Sequence, residues 1–184
     1  MPGELKAVVF GGGCFWCTEA VFARLHGVDS VIPGYAGGKT ENPSYAAVAT
    51  GKTGHAEVIK VEYDPAVIKF TKLLEVFFSA HDPTTPDRQG ADIGPQYRSV
   101  IFFTQEDQKQ EAERYIVELE ERKKYSGPIV TAIRELERFW PAEEYHQNFY
   151  ARNPGEPYSQ AVIKPKMQKI EQEYEDLLNA QREA

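Results

Sequence analysis

Cysteine is scarce in this chain: 184 residues carry two, Cys14 and Cys17, three positions apart. That excludes a disulfide framework. It also argues against a structural zinc site, which needs four ligands, because there is no second cysteine pair and the four histidines are scattered. No apolar run approaches the ~20 residues of a membrane-spanning helix. The start of the chain, Met1-Pro2-Gly3-Glu4-Leu5-Lys6, lacks the charged and long apolar regions of a secretory leader. No basic run is interleaved with aromatics, and a formal net charge of −7 disfavours a phosphate backbone as partner. A cytoplasmic protein without nucleic-acid or membrane partners is expected. In that compartment two close cysteines more often serve catalysis or sensing than stapling. Internal repeats and low-complexity linkers are also missing, so residues 1–184 are expected to form one domain, large enough for a proper core.

What is present concentrates at Gly11-Gly12-Gly13-Cys14-Phe15-Trp16-Cys17. The apolar run Ala7-Val8-Val9-Phe10 before it reads as a buried strand. The stretch from Thr18 to Leu25 reads as a helix with Val21, Phe22 and Leu25 on one face. Cys14 therefore sits where a strand becomes a helix. Glycines there allow a tight turn and close approach of a ligand, and a helix start favours a thiolate over a thiol. Three readings of the pair stand side by side: half of a zinc site, buried core thiols, or a redox-active C-x-x-C pair opening a helix. Redox chemistry leads, because a buried thiol has no need of three preceding glycines.

Along the chain, residues 27–38 read as a turn, a short strand and a glycine-rich loop, and Ala46 to Ala49 as a short helix. Residues 54–63 read as a strand whose alternation puts Glu57, Ile59, Val61 and Tyr63 on one face and Val58, Lys60 and Glu62 on the other. A carboxyl on the apolar face has a raised pKa and holds a proton near neutrality. Parity alone leaves open whether Glu57 is buried or reaches solvent at the strand end. Phe70, Leu73, Leu74, Phe77 and Phe78 form a helical core stripe ending at His81-Asp82-Pro83. The loop over residues 84–98 is long enough to suggest function. Residues 99–103 and 128–133 read as strands, and Thr104 as the cap of a helix running to about Lys123. Residues 139–150 read as a turn becoming a short aromatic helix and 153–159 as coil. A last helix from Pro165 carries Met167, Ile170, Tyr174, Leu177 and Leu178. The imperfect alternation gives an α+β sandwich with a mixed sheet.

These residues resemble a known family. Gly13-Cys14-Phe15-Trp16 after a strand resembles the signature of the A-type peptide methionine sulfoxide reductases. The similarity continues through Gly34-Tyr35-Ala36-Gly37-Gly38, Asn42-Pro43-Ser44-Tyr45, Gly54-His55-Ala56-Glu57 and His81-Asp82-Pro83-Thr84-Thr85. It runs on through Asp87-Arg88-Gln89-Gly90-Ala91-Asp92, Gln96-Tyr97-Arg98-Ser99 and Ala142-Glu143-Glu144-Tyr145-His146-Gln147 to Val162-Ile163-Lys164-Pro165-Lys166. Each motif is weak alone; together, in order over nearly the whole chain, they are specific.

The resemblance implies a two-layer sandwich with a ferredoxin-like core, long irregular loops and a C-terminal helix. It implies a monomer that reduces the S epimer of methionine sulfoxide, free or in proteins, with no metal or organic cofactor and with thioredoxin as reductant. Cys14 is then expected to attack the sulfoxide sulfur and Glu57 to protonate or hydrogen-bond its oxygen, to which Tyr45 and Tyr97 also donate. Phe15 and Trp16 are expected to receive the S-methyl group, and Asp92 and His146 to contact the substrate main chain. A sulfoxide oxygen leaves poorly until protonated, so the thiolate needs a partner acid. Two effects compete at Cys14: the helix start lowers its pKa, while an apolar cage with a carboxyl nearby raises it. Depression is expected only in the substrate complex, with Cys17 ordinary.

The family often carries a resolving cysteine in a pattern like Asn-Pro-x-x-Pro-Tyr-Cys. Here the stretch reads Asn153-Pro154-Gly155-Glu156-Pro157-Tyr158-Ser159, so Cys17 is the only thiol within the chain for an oxidised Cys14, the alternative being direct reduction by an external thiol while Cys17 packs silently. A Cys14–Cys17 disulfide is expected as the species that is reduced. The alternatives are a thiol-disulfide oxidoreductase of protein disulfides, which has no use for Glu57, Tyr45 and Tyr97, and a non-enzymatic methionine-binding or sensing module.

Overall fold

The computed structural model describes residues 3–178; Met1, Pro2 and residues 179–184 of the expected domain lie outside them. Three apolar runs make the centre of the sheet: β1 (Lys6–Gly11), β3 (Ala56–Tyr63) and β6 (Val100–Phe103). Together with β2 (Val28–Ala36), β7 (Ala132–Glu135) and β8 (Phe139–Pro141) they form six strands in the order β7-β6-β1-β3-β2-β8. β6 and β7 run parallel and every other pair antiparallel, so the sheet is mixed. Side chains alternate along a strand. Val8 and Phe10 of β1, Ile59 and Val61 of β3 and Ile101 of β6 therefore point to one side. There they share a core with the buried faces of α1 (Phe15–Phe22), α3 (Phe70–Ala80), α4 (Glu106–Glu121) and α6 (Lys164–Glu173). Val9, Val58, Val100 and Phe102 point the other way, into a smaller cluster. The expected two-layer α+β arrangement is the one observed.

Several elements differ from the sequence reading, each for a local reason. Residues 139–141 extend rather than turn: β8 is an edge strand on β2, where Pro141, lacking an N–H, is tolerated. Gly34 lets it come close, since a Cβ there would meet Trp140 O and the Phe139 ring. β7 begins only at Ala132, because Val130 N bonds to Pro83 O instead of entering the ladder. Thr104 does not cap α4; its hydroxyl donates to Ala7 O at 2.6 Å and Gln105 takes the cap position. α1 starts at Phe15 rather than Thr18, and its Thr18 and Glu19 are buried along with Val21 and Phe22, so burial extends beyond the apolar face. α6 ends at Glu173, and Leu177 and Leu178 fold back so that His26 N donates to Leu177 O. The long loop contains a hairpin of β4 (Arg88–Gln89) and β5 (Asp92–Ile93) and a 3-10 turn at Pro95–Tyr97. Residues 45–49 form α2 (Tyr45–Ala49), capped by Ser44, whose Oγ accepts from Ala47 N at 3.1 Å, and the expected short aromatic helix is α5 (Phe149–Arg152).

The β1–α1 turn is fixed by what surrounds it. Gly12 lies against the buried His81 ring, 3.0 Å from where a Cβ would stand. Gly13 has φ +88, its N–H bonds to Tyr97 O, and a Cβ would come within 2.8 Å of Gln89 Cγ. Gln89 cannot yield easily, since its amide both accepts from Asp82 N and donates to Asp82 O, each at 2.9 Å. Gly13→Ala combines a positive φ with this clash and is expected to cost about 1–3 kcal/mol. Urea denaturation would check this; a midpoint equal to the parent's would show that the turn relaxes freely.

Candidate active site

Cys14 is the N-cap of α1, with φ −65 and ψ 130, and as a residue is half-buried, while Phe15 and Cys17 beside it are buried. Glu57 on β3 is 2% exposed. Of the two positions that parity allowed, it occupies the buried one. Its Oε1 accepts the backbone N–H of Phe15 at 3.3 Å, which holds the carboxyl beside Cys14. Burial pushes its pKa up to about 8, with the Asp92 charge adding to the rise and the Phe15 N–H opposing it. The carboxyl is therefore mostly protonated at neutral pH.

Burial also raises Cys14 well above a free thiol, helped by the charges of Glu57 and Cys17 and opposed by the Trp16 N–H and the Tyr158 hydroxyl. Desolvation here outweighs the short helix's dipole, so the helix start does not depress the thiol. Cys17 is not ordinary: burial raises it as well, with Lys166 the main opposing charge.

Phe15 is fully buried, its ring 5.0 Å from His146, 5.8 Å from Tyr35 and 6.5 Å from Tyr45. Trp16 stacks on Phe149 at 3.7 Å and 6°, meets Tyr158 edge-on at 5.6 Å, and donates from Nε1 to His146 Nδ1 at 3.0 Å. Tyr45 and Tyr97 are both partly exposed. Burial, followed by the Glu57 charge, pushes Tyr45 up to about 12 and Tyr97 higher still. Both phenols therefore stay protonated as donors. Asp92 on β5 accepts from the Tyr158 hydroxyl at 3.3 Å. The eight other residues singled out in the sequence thus lie around the Cys14 thiol. His146 differs from its expected exposure to substrate: it is fully buried and its ring supports Trp16. Burial keeps it neutral against the pull of Glu143.

Sequence reasoning missed the supports. Glu143 accepts from the Tyr35 hydroxyl and from Tyr45 N, each at 2.9 Å, and so ties β2 to α2 under the cage. Glu19 on α1 is 3% exposed and accepts from Asn148 N at 2.9 Å and Phe149 N at 3.3 Å, which sets Phe149 against Trp16. Burial lifts its pKa to about 7 against those two bonds. Tyr158 reaches Cys17 Sγ at 3.8 Å. Glu143 and Tyr158 both lie inside motifs readable in the sequence, but Glu19 has no such signal once α1 is taken as amphipathic.

A cavity of about 400 Å³ lined by His81, Asp82, Gln89, Tyr125, Lys166 and Lys169 lies apart from this cluster. None of the aromatic side chains around Cys14 lines it, so the chemistry is assigned to the thiol and not to that cavity. Among the described residues, no His, Cys, Asp and Glu side chains group so as to hold a metal ion. No helix of theirs is long and apolar enough to cross a membrane.

A helix-start thiol, a protonated buried carboxyl 3.3 Å from the neighbouring amide, two phenol donors and an aromatic cage define a cysteine-dependent oxidoreductase acting on a small group with an oxygen to protonate. The family model for peptide methionine sulfoxide reductase matches residues 6–178. The peptide methionine sulfoxide reductase MsrA of Chromobacterium violaceum is 48% identical over 174 residues, covering 95% of this chain and 99% of that one. Mxr1 from Saccharomyces cerevisiae in reduced form superposes with a TM-score of 0.76 at 36% identity, covering 85% of this chain and 90% of that one. The same protein solved in complex with Trx2 gives 0.55 at 27% identity, covering 81% and 87%. The chain belongs to the peptide methionine sulfoxide reductase family and reduces methionine sulfoxide.

Glu57 also fixes a pH dependence of stability. Its carboxyl rises from an ordinary 4.5 to about 8 on folding, so between those values the folded protein holds a proton that the unfolded chain releases. Stability therefore falls as pH rises through that window, and Glu19 adds to the fall up to about 7. Glu57→Gln is expected to flatten the curve and to gain up to a few kcal/mol over the parent at pH 9, since raising a carboxyl's pKa tenfold in proton affinity corresponds to about 1.4 kcal/mol. Thermal denaturation at pH 5 and pH 9 measures it; the same slope in both proteins would contradict a buried, protonated Glu57.

Proposed function

We propose that the chain, as a single monomeric domain over residues 1–184, reduces the S epimer of methionine sulfoxide, free or in proteins, and so repairs oxidised proteins. The observation that carries this is the protonated Glu57 carboxyl held beside Cys14. The Cys14 sulfur bonds to the sulfoxide sulfur while Glu57 protonates its oxygen and Tyr45 and Tyr97 donate to it. The substrate S–O bond and the transient sulfur–sulfur bond then break as the hydroxyl transfers to the Cys14 sulfur, leaving a sulfenic acid and free methionine. The thiol's own proton returns Glu57 to its acid form. The substrate sulfur gains two electrons and Cys14 loses two. Phe15 and Trp16 form the methyl pocket, with Asp92 toward the substrate chain and His146 orienting Trp16 from behind. With methyl and oxygen each given a subsite, one configuration presents sulfur to Cys14. The positive sulfur end of the neutral sulfoxide dipole faces the thiol and favours its thiolate, so the Cys14 pKa falls in the complex.

Cys17 then condenses with the sulfenic acid to give a Cys14–Cys17 disulfide. Both thiols are free, and Cys17 N donates to Cys14 O at 3.2 Å, so the two belong to one helical turn. Closing the bond needs their Cα atoms within about 7 Å and the first turn loosened, which the preceding glycines permit. Thioredoxin is the reductant, supported by the Trx2 complex of the yeast relative. A cytoplasmic setting fits free thiols and a thioredoxin supply, and a net charge of −7 fits a protein without nucleic-acid partners.

Glu57→Gln is expected to keep substrate affinity and slow sulfoxide reduction about a hundred- to ten-thousand-fold, since an amide accepts and donates hydrogen bonds but gives up no proton. Single-turnover rates near the parent's would remove Glu57 from the mechanism. Cys17→Ser is expected to make about one product per enzyme and then recycle poorly with thioredoxin. Recycling at the parent rate, with no Cys14–Cys17 link in peptide maps of the substrate-oxidised parent, would replace the disulfide with direct reduction by an external thiol.

A further inference from the structure

Resolution by Cys17 leaves a proton to be moved. The Cys17 thiol is 2% exposed and its pKa is raised, so it enters the second half-reaction as a thiol with little access to water. One side-chain hydroxyl reaches it. Tyr158 places its oxygen 3.8 Å from Cys17 Sγ and donates its own proton to Asp92 Oδ2 at 3.3 Å. In that arrangement the phenol oxygen is free to accept from the Cys17 S–H. The residue is held for this position from three sides. Its ring meets Trp16 edge-on at 5.6 Å. The chain after it widens into a π-helix at Ser159–Ile163, a distortion that recurs at functional sites. Ser159 is fully buried and its hydroxyl donates to Asn153 O at 2.7 Å, which anchors the backbone next to Tyr158.

We infer that Tyr158 is a catalytic residue of the resolving half-reaction, passing the Cys17 thiol proton to Asp92 as Cys17 closes on the Cys14 sulfenic acid. The inference rests on the proposed Cys14–Cys17 disulfide. The Cys17 S–H bond breaks, its proton moves to the phenol oxygen, and the phenol's own proton moves to the Asp92 carboxylate. The Cys17 sulfur bonds to Cys14 sulfur and the Cys14 S–O bond breaks. The departing oxygen takes up the proton that Asp92 gained and leaves as water. Cys17 is oxidised, the sulfenic sulfur is reduced, and no outside reagent is consumed. Burial, with the nearby Cys14, Cys17 and Asp92 charges, keeps the phenol protonated, so it is restored after each pass. Cys17 itself is faced by Lys166 of α6, which favours its thiolate, and by Asp92 of β5 and Glu57 of β3, which oppose it.

Tyr158→Phe keeps the ring on Trp16 and removes the relay. The enzyme is given one equivalent of a methionine sulfoxide peptide, the sulfenic acid is trapped with dimedone at timed intervals, and the Cys14–Cys17 link is followed by peptide mapping. In the variant the sulfenic acid is expected to accumulate and the disulfide to form about a hundredfold more slowly than in the parent, the low end for one proton-transfer group. Raising the pH supplies Cys17 thiolate without a relay, so the variant rate should climb toward the parent's, which a merely structural defect would not do. Should the variant also reduce sulfoxide slowly, hydrogen peroxide delivers the same sulfenic acid directly. A disulfide formed at the parent rate, or a slow rate unchanged by pH, would overturn the role of Tyr158 while leaving the Cys17 reading intact. A parent that never forms the link would overturn both.

Discussion

One weak-looking hydrogen bond organises the site: Phe15 N to Glu57 Oε1, 3.3 Å, within the protein interior. It joins the first amide of α1 to the middle strand of the sheet. A helix start leaves its early N–H groups without intrahelical partners, and here a buried acid supplies one. The same contact sets the distance between acid and nucleophile and pins Phe15 among Tyr35, Tyr45 and His146. Because the donor is a neutral amide and the surroundings are apolar, the contact does not ionise the acid. Desolvation wins and the carboxyl stays protonated, which is the state a sulfoxide oxygen requires.

The surrounding structure accepts a stability cost to keep that state. Glu57 at about 8 and Glu19 at about 7 are both buried acids with only backbone donors. His81 is driven to about 4 by burial and stays neutral. It is satisfied on both sides, Nδ1 donating to Phe77 O at 2.6 Å and Nε2 accepting from Ser99 Oγ at 2.7 Å. That fixed ring is the floor on which Gly12 rests. Polar groups left this far from water persist where the surrounding fold over-determines them. Each of these three holds a part of the β1–α1 turn or of the Trp16 wall.

The aromatic cage is assembled from distant parts of the chain. Phe15 and Trp16 come from α1, Tyr35 from β2, Tyr45 from α2, and His146, Phe149 and Tyr158 from the segment before α6. Glu19 and Glu143 lock the last of these in place through backbone N–H groups, which are insensitive to side-chain identity at the donor residue. The supports can therefore be remote in sequence and carry no local motif.

The sequence by itself determined the strand–glycine–cysteine–helix order, the α3 stripe and the parity that aligns Glu57 with Ile59, Val61 and Tyr63, because each depends on residues within a few positions of one another. Motif order added the family, its chemistry and the set of residues now found around Cys14. It left open whether Glu57 faces solvent, since parity fixes a face and not what covers it. The edge strand β8, the shifted start of β7 and the burial of Glu19 all follow from partners more than twenty residues away, and short-range patterns are blind to those. The reach of Tyr158 to Cys17 and Asp92, across 141 and 66 positions, was likewise decided only when the chain closed on itself. A pKa or a proton path is a property of what surrounds a side chain, and only tertiary packing supplies those surroundings.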